Sequence, residues 1–148
     1  MSVVQLVARK GALVVDRLRC HGCQACMVAC SLIHEGQAAL SMARIHVRVD
    51  PLEGLHEIAY CHQCKRAPCA QACPQEAIQP AEGGYWMVEE ALCTGCGACA
   101  EACPFGAIVL NPQTALALIC DTCDGEPTCV AICPSQAISW KGQGGQDA

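Results

Sequence analysis

CPQEAIQPAEGGYWMVEEALCTGCGACAEACPFGAI, residues 73–108, is the stretch that decides the fold of this chain. It contains a complete Cys-x-x-Cys-x-x-Cys-x-x-x-Cys-Pro set at Cys93, Cys96, Cys99 and Cys103, and it begins with the Cys-Pro that closes an earlier set. This spacing is typical of thiolates that bind a 4Fe–4S cluster. Because the fourth cysteine of such a run binds the neighbouring cluster, the stretch predicts clusters in pairs.

Three further sets of four cysteines lie before and after this one. The first has the same regular spacing but is followed by Ser31, where the other sets have proline. In the second and fourth sets the middle gap is widened, by KRAP and by DGEPT, which predicts small surface loops. No set has lost a cysteine, so the pattern predicts four 4Fe–4S clusters. The candidate ligands are Cys20, Cys23, Cys26, Cys30, Cys61, Cys64, Cys69, Cys73, Cys93, Cys96, Cys99, Cys103, Cys120, Cys123, Cys129 and Cys133.

Composition narrows the class of protein. A chain of 148 residues with 16 cysteines indicates either a disulfide scaffold or metal sites. Basic residues interrupt the apolar start MSVVQLVARKGALVVDRLRC, so we expect no signal peptide, a cytoplasmic location and metal sites. With one Phe, two Trp and two Tyr for packing, the cofactors should supply much of the folding free energy. The net charge of -5 argues against nucleic acid as a partner, and no apolar run approaches the length of a membrane span.

Short strands and helices between the cysteine sets predict an α+β fold. The second set's exit, CPQEAIQ, should continue through a hairpin turn at 82–84 into GYWMVEEALC, the entrance of the third set. The fourth set's exit, CPSQAISW, resembles the first half of that hairpin, and GALVVDRLRC before the first set resembles the second half. We therefore expect the last strand to pair with the first. Further expectations are a strand at RIHVRV, a turn at DPLEG, and a helix at ACAEAC.

This strand pairing predicts which sets share their clusters: the first with the fourth, and the second with the third. The fold would then consist of two pseudo-symmetric halves, each like a bacterial two-cluster ferredoxin, around a cofactor-dominated core. One half comprises residues 1–30 plus 104–148 and the other residues 61–103, with 31–60 as an insert. Exchange of fourth cysteines gives four ligand sets: Cys61, Cys64, Cys69 and Cys103; Cys93, Cys96, Cys99 and Cys73; Cys20, Cys23, Cys26 and Cys133; and Cys120, Cys123, Cys129 and Cys30.

Two other interpretations compete with iron–sulfur clusters. Zinc also binds paired Cys-x-x-Cys motifs, which would make the chain a zinc-stabilised interaction module, but four sets with a third cysteine close behind the first two favour iron. The five histidines match no protease or triad pattern, so we assign no catalytic residue and expect surface or packing roles. His21 and His62, inside ligand loops, could tune cluster potentials.

The phrases CHGCQACMVACSLIHEG, ARIHV, CHQCKRAPCAQACPQEAI and CTGCGACAEACPFGAI resemble the four-cluster iron–sulfur subunits of DMSO reductase, formate dehydrogenase and formate hydrogenlyase. They are also similar to the small electron-transfer subunits of bacterial tungsten aldehyde oxidoreductases. The resemblance covers roughly residues 10–141 and implies the same cluster pairing as the hairpin. Extra loops between the third and fourth sets and a C-terminal anchoring helix, present in many membrane-attached members, have no counterpart in this sequence.

The resemblance implies a non-catalytic subunit that carries electrons over four 4Fe–4S clusters. Its expected partners are a catalytic molybdenum- or tungsten-pterin oxidoreductase subunit, or a hydrogenase, and a second redox subunit such as a flavoprotein. The competing hypothesis within the same class is a free soluble polyferredoxin that diffuses between partners.

Overall fold

The computed structural model describes residues 11–54, 56–81 and 84–142. Over these ranges the chain is a small α+β protein, as the sequence predicts, with four α-helices and four two-stranded antiparallel sheets. The elements in chain order are β1 (Gly11–Val15), α1 (Ala25–Glu35), a 3₁₀ turn (Leu40–Met42), β2 (His46–Arg48), β3 (Glu57–Ala59), α2 (Pro68–Ala72), β4 (Ile78–Pro80), β5 (Trp86–Val88), α3 (Ala98–Ala102), β6 (Val109–Leu110), β7 (Ala117–Leu118), a second 3₁₀ segment (Thr122–Gly125), α4 (Thr128–Ile132) and β8 (Ile138–Gly142).

Three of the helices are repeats of one unit. Helices α2, α3 and α4 each contain five residues and begin 30 residues apart. Each ends at the last cysteine of its set, Cys73, Cys103 or Cys133, whose backbone is extended. The proline that follows each of these cysteines disfavours helical conformation at the cysteine and ends the helix there. The predicted helix at ACAEAC is α3.

Helix α1 is longer because its set has no closing proline. It continues past Cys30 for more than a full turn and ends at Gly36, which has φ 74° and donates its N–H to the Leu32 carbonyl at 3.1 Å. The Ser31 hydroxyl, fully buried, donates to the Val28 carbonyl at 3.0 Å and accepts the Ala39 N–H at 3.1 Å. The extra turn projects His34 and Glu35 beyond the cysteine set.

The sheets confirm the strand pairings expected from the sequence. Strand β4 pairs antiparallel with β5, and β1 pairs antiparallel with β8 from Val15 opposite Ile138 to Gly11 opposite Gly142. The residues expected at the tip of the β4–β5 turn, 82 and 83, lie outside the described residues. The predicted strand RIHVRV contains β2, which pairs with β3. The β6–β7 hairpin was not predicted, because its two-residue strands are too short to show a periodic pattern.

Two hydrophobic cores lie in the described part of the chain. One includes Trp86, Cys99 and residues of α2 and β4, and it also contains Ile108, Ala117 and Ile119. The other includes Leu13, Met27, Cys129 and Ile138. Ile108, Ala117 and Ile119 thus pack with the second and third sets. Residues Ala43, Ile45 and Val47 of the segment 31–60 belong to the second core. The division into residues 1–30 plus 104–148, 31–60 and 61–103 stays a prediction.

Candidate metal centres

Two cavities are lined by cysteines from different sets. One is lined by Cys20, Cys23 and Cys26 of the first set together with Cys133 of the fourth. The other is lined by Cys93, Cys96 and Cys99 of the third set together with Cys73 of the second. Each cavity thus receives three closely spaced thiols from one set and the last thiol of another.

The pKa shifts of the thiols show which thiols lie near one another. Burial, together with repulsion from Cys133, Cys20 and Cys23, raises the pKa of the Cys26 thiol to about 11. Burial likewise raises the pKa of Cys99, again with contributions from Cys93 and Cys73. The thiols that would repel one another as anions are therefore those that line a common cavity.

The pKa shifts indicate two further groups of neighbouring thiols. The first contains cysteines of the second and third sets. Burial raises the pKa of Cys61 to about 11, and Cys64 and Cys103 add to this increase. Burial raises the pKa of Cys69 to about 12, with further contributions from Cys61 and Cys103. The second set thus lies around the last cysteine of the third set.

The fourth set meets the last cysteine of the first set. Burial raises the pKa of Cys129 to about 12, with repulsion from Cys123 and Cys30 as further causes. Burial also raises the pKa of Cys120, where Cys129 and Cys30 are among the contributing neighbours. The thiols of the fourth set thus lie near Cys30, and Cys61 of the second set and Cys26 of the first set are also among their neighbours.

The backbone directs N–H groups at the sulfurs. The residue just before the second cysteine of a set has positive φ at Gly22, Gln63, Gly95 and Thr122. The N–H groups of Gly22, Gln63 and Thr122 donate to the Sγ atom of the first cysteine of their own set, at 3.4, 3.4 and 3.3 Å. Such donors stabilise the thiolate form and the negative charge of an iron–sulfur cluster.

The turns after the Cys-Pro dipeptides repeat this arrangement at the other end of each helix. Glu76, Gly106 and Gln136 have positive φ and donate their N–H groups to the carbonyls of Cys73, Cys103 and Cys133. The Ala77 N–H then reaches the Cys73 Sγ atom at 3.3 Å. Burial opposes ionisation of Cys133, but the Ser135 hydroxyl and the N–H groups after it lower its pKa on balance.

His34 lies against two of the candidate ligands. Its Nδ1 is 2.9 Å from the Cys30 carbonyl and 3.7 Å from the Cys30 Sγ atom, and its Nε2 is 2.8 Å from Asp121 Oδ1. The hydrogen bond with Asp121 is the main reason that the pKa of His34 is raised to about 12, with Cys123 and Cys30 adding to it. Burial favours the neutral Cys123 thiol, but the contact with His34 lowers the pKa of this thiol on balance.

Sequence reasoning assigned His34 a surface or packing role, so this contact was missed. A signal was present, because His34 follows Cys30 by four residues and a helix without a closing proline puts both on one face. Of the two histidines expected to act near clusters, His21 is exposed, and His62 stacks between Tyr60 and Phe105 with ring centroids 4.4 and 3.7 Å away. His62 follows the candidate ligand Cys61 directly.

The residues fit 4Fe–4S clusters. All 16 cysteines are free thiols, most of them buried or partly buried. Burial and mutual repulsion favour their neutral form, so a cationic group between them is needed to hold four thiolates together. Cavities lined by four thiols, with N–H groups directed at the sulfurs, supply the ligand type and the charge compensation that such clusters require.

Family models give the same class of site. A 4Fe-4S dicluster domain matches residues 60–108, and another matches residues 85–134. A 4Fe-4S binding domain matches residues 17–36, around the first set. These matches favour iron–sulfur clusters over the zinc interpretation, and the protein binds multiple 4Fe–4S clusters. Among the described residues, no helix is both long and apolar enough to cross a bilayer.

The similarity to proteins of known class covers most of the chain. The chain is 34% identical to the thiosulfate reductase electron transfer subunit PhsB of Salmonella typhi, over 84% of this chain and 72% of that protein. It is 41% identical to the putative electron transport protein YsaA of Escherichia coli K12, over 85% of this chain and 86% of that protein. A chain of the active-site complex BamBC of benzoyl coenzyme A reductase has a TM-score of 0.55 at 27% identity, covering 88% of this chain and 78% of that one.

The chain belongs to this family of multi-cluster 4Fe–4S electron-transfer proteins. It is a non-catalytic electron-transfer subunit of the oxidoreductase type, as the resemblance implies.

Proposed function

We propose that this subunit holds four 4Fe–4S clusters in one line and conducts single electrons between a catalytic oxidoreductase and a second redox partner. When bound, each cluster supplies a site that accepts and releases one electron. The protein contributes the thiolates, the N–H groups directed at their sulfurs, and the two cores that fix the distances between ligand sets. It makes and breaks no substrate bond.

The proposed ligand sets exchange their last cysteines in pairs. The observation that carries this assignment is the lining of the two cavities, each by three thiols of one set and the last thiol of another. The contacts between helices α1 and α4, and between α2 and α3, also support it. The proposed sets are Cys20, Cys23, Cys26 and Cys133; Cys120, Cys123, Cys129 and Cys30; Cys61, Cys64, Cys69 and Cys103; and Cys93, Cys96, Cys99 and Cys73.

Contacts between different sets support an order along the line. Cys26 contributes to the raised pKa of Cys129, which relates the first set to the fourth. Cys61 is the foremost thiol among the neighbours that raise the pKa of Cys120, which relates the fourth set to the second. Cys99 contributes to the raised pKa of Cys69, which relates the second set to the third. The proposed order of sets is therefore first, fourth, second and third.

The proposed architecture is two pseudo-symmetric ferredoxin-like halves. One contains the first and fourth sets with β1 and β8, and the other contains the second and third sets with β4, β5 and the β6–β7 hairpin. The repeated helices and the matching hairpins support this division. The two central ligand sets would then meet where the halves join.

The proposed partners are a molybdenum- or tungsten-pterin catalytic subunit, or a hydrogenase, at one end and a redox subunit such as a flavoprotein at the other. Relatives named as electron transfer subunits support a place in such a complex. Exposed apolar side chains at Leu32, Ile33 and Leu52 support a docking surface in segment 31–60. We place the complex in the cytoplasm, which fractionation of the native host would test.

The test is an anaerobic affinity purification of the tagged protein from its native host, with metal analysis of the eluate. Four clusters predict about sixteen irons per chain. A co-purifying large subunit with molybdenum or tungsten would support the proposed role. Sixteen irons without any partner would favour a diffusing polyferredoxin, and zinc in place of iron would overturn the proposal.

A further inference from the structure

Gln63 connects the two central groups of cysteines. Its side chain is 1% exposed, and its Nε2 donates to the Cys120 carbonyl at 2.8 Å and to the Cys61 Sγ atom at 3.4 Å. Its Oε1 accepts the Trp86 N–H at 3.2 Å. Because the carbonyl can only accept and the Trp86 amide can only donate, these partners fix the orientation of the Gln63 amide. One amide thus contacts a ligand of the second set and the backbone of a ligand of the fourth.

The equivalent position in the other sets shows why a side chain here requires an explanation. All four residues before the second cysteine have positive φ, which favours glycine. In the first and third sets the residue is Gly22 or Gly95, where a Cβ atom would lie 2.7 Å from the His56 Nε2 atom or 2.6 Å from the Ala115 carbonyl oxygen. These two glycines belong to the outer positions of the proposed order.

The two sets that meet in the centre have side chains at this position. Gln63 has φ 50° and Thr122 has φ 57°, and both are buried, at 1% and 3% exposure. A residue other than glycine held in this conformation is strained and persists where the surrounding structure compensates. For Gln63 the compensation is the set of hydrogen bonds to Cys120, Cys61 and Trp86.

We propose that Gln63 is a positioning residue for electron transfer between the two halves: its amide holds the ligand loops of Cys61 and Cys120 together and adds a hydrogen bond to the Cys61 sulfur. This inference rests on the proposed ligand sets and their order. An N–H donor to a ligand sulfur stabilises the reduced, more negative form of a cluster, so the Gln63 amide raises the potential of the set that contains Cys61.

The experiment compares the reconstituted holoprotein with its Gln63→Met variant by potentiometric titration followed by electron paramagnetic resonance. Methionine has a similar length, but it cannot donate a hydrogen bond to the Cys120 carbonyl or the Cys61 sulfur, and its thioether accepts only weakly. We expect unchanged iron content, a lower potential for the set containing Cys61, and weaker magnetic interaction between the two central clusters. The signals of these clusters are identified by their loss in Cys64→Ala and Cys123→Ala.

Gln24→Met is the matched control. Gln24 also has positive φ, at 61°, and its Nε2 donates to the Val47 carbonyl at 3.1 Å, inside one half. We expect the central potentials and their magnetic interaction to be as in the unsubstituted protein. A shift in this variant equal to that of Gln63→Met would overturn the inference, because a glutamine that does not contact both central groups of cysteines would then act in the same way.

Gln63→Gly is a second variant that tests the inference if methionine cannot be accommodated at position 63. Glycine occupies the same position and conformation in the first and third sets, so this variant should fold, keep its iron and show the same shift. If Gln63→Met or Gln63→Gly keeps its iron and its potentials are unchanged, Gln63 has no positioning role. The same conclusion holds if both variants lose iron. Failure of the proposed function is seen separately, as an unsubstituted holoprotein with clearly fewer than about sixteen irons.

Discussion

The region around α2 and α3 and the region around α1 and α4 contain the same elements with different connectivity. In both, two helices in contact lie beside a two-stranded antiparallel sheet. Strands β4 and β5 pair from Pro80 opposite Trp86, within one short segment, whereas Val14 and Ser139 of the β1–β8 sheet are 125 residues apart. Closing a longer loop costs only slightly more entropy. Segments that are distant in sequence can therefore form the same kind of sheet when their side chains pack well together.

The two regions also differ in what surrounds their ligands. The first set lacks a closing proline, so α1 brings His34 to Asp121 and Glu35 to Asn111, whose Nδ2 donates to Glu35 Oε1 at 2.9 Å. Helices α2 and α3 end at their cysteines and carry no such extension. The absence of a proline after Cys30 thus gives α1 polar contacts that α2 and α3 lack.

The largest expected effect is the loss of a ligand in either region. Cys96→Ala and Cys23→Ala remove the second, exposed cysteine of the third and first sets. Each should lose about four of about sixteen irons and strongly impair electron flow. Iron analysis and reduction kinetics check this, with Leu18→Ser, at a 79% exposed site, as the control. A cysteine variant that retained four clusters and full electron flow would show that the ligand assignment is wrong.

The next largest effect is expected on the free energy of unfolding, when the tryptophan beside each of the two sheets is replaced. Trp86 is 2% exposed and donates its Nε1–H to the Cys64 carbonyl at 2.8 Å, whereas Trp140 is only partly buried. Trp86→Ala should lower the free energy of unfolding by about 3–5 kcal/mol, and Trp140→Ala by clearly less. Anaerobic denaturant unfolding of the holoproteins measures both. Equal losses would mean that the β1–β8 sheet depends on its tryptophan as strongly as the β4–β5 sheet does.

A smaller effect is expected from the histidines that distinguish the regions. His34→Leu removes the hydrogen bonds to Asp121 and to the Cys30 carbonyl, so the potential of the set containing Cys30 should fall. One hydrogen bond of about 1 kcal/mol corresponds to a shift on the order of 40 mV for one electron. His62→Leu, which loses ring stacking, is the comparison and should leave this potential unchanged. Potentiometric titration measures this potential in both variants. Equal shifts in His34→Leu and His62→Leu would contradict a specific role for His34.

The smallest effect concerns a surface ion pair of the β2–β3 sheet. Arg48 NH1 lies 3.7 Å from Glu57 Oε2, and both side chains are largely exposed. Glu57→Gln should change the free energy of unfolding by less than about 0.5 kcal/mol. Glu35→Gln, which weakens the partly buried contact with Arg44 at 3.4 Å, should cost more. Denaturant unfolding separates the two, and the reverse order would show that the β2–β3 surface is more important than its exposure indicates.

Much of the fold could be predicted from local patterns. Cys-Pro dipeptides predict where α3 and its repeats end, and the likeness of CPSQAISW and GALVVDRLRC to the halves of one hairpin predicts the β1–β8 pairing that the structure contains. The β6–β7 hairpin could not be predicted, because two residues per strand give no periodicity and the pairing depends on the core that contains Ile108 and Ala117.

The sequence by itself determined the ligand type, the number of cysteine sets and the family, because the spacing of thiols along the chain is a local property. Only the tertiary structure decided that Gln63 meets Cys120 and that His34 meets Asp121, since these contacts join residues 57 and 87 positions apart. No local pattern records such a contact. It exists because two independently patterned segments bury their polar groups against each other, and each buried donor then requires an acceptor.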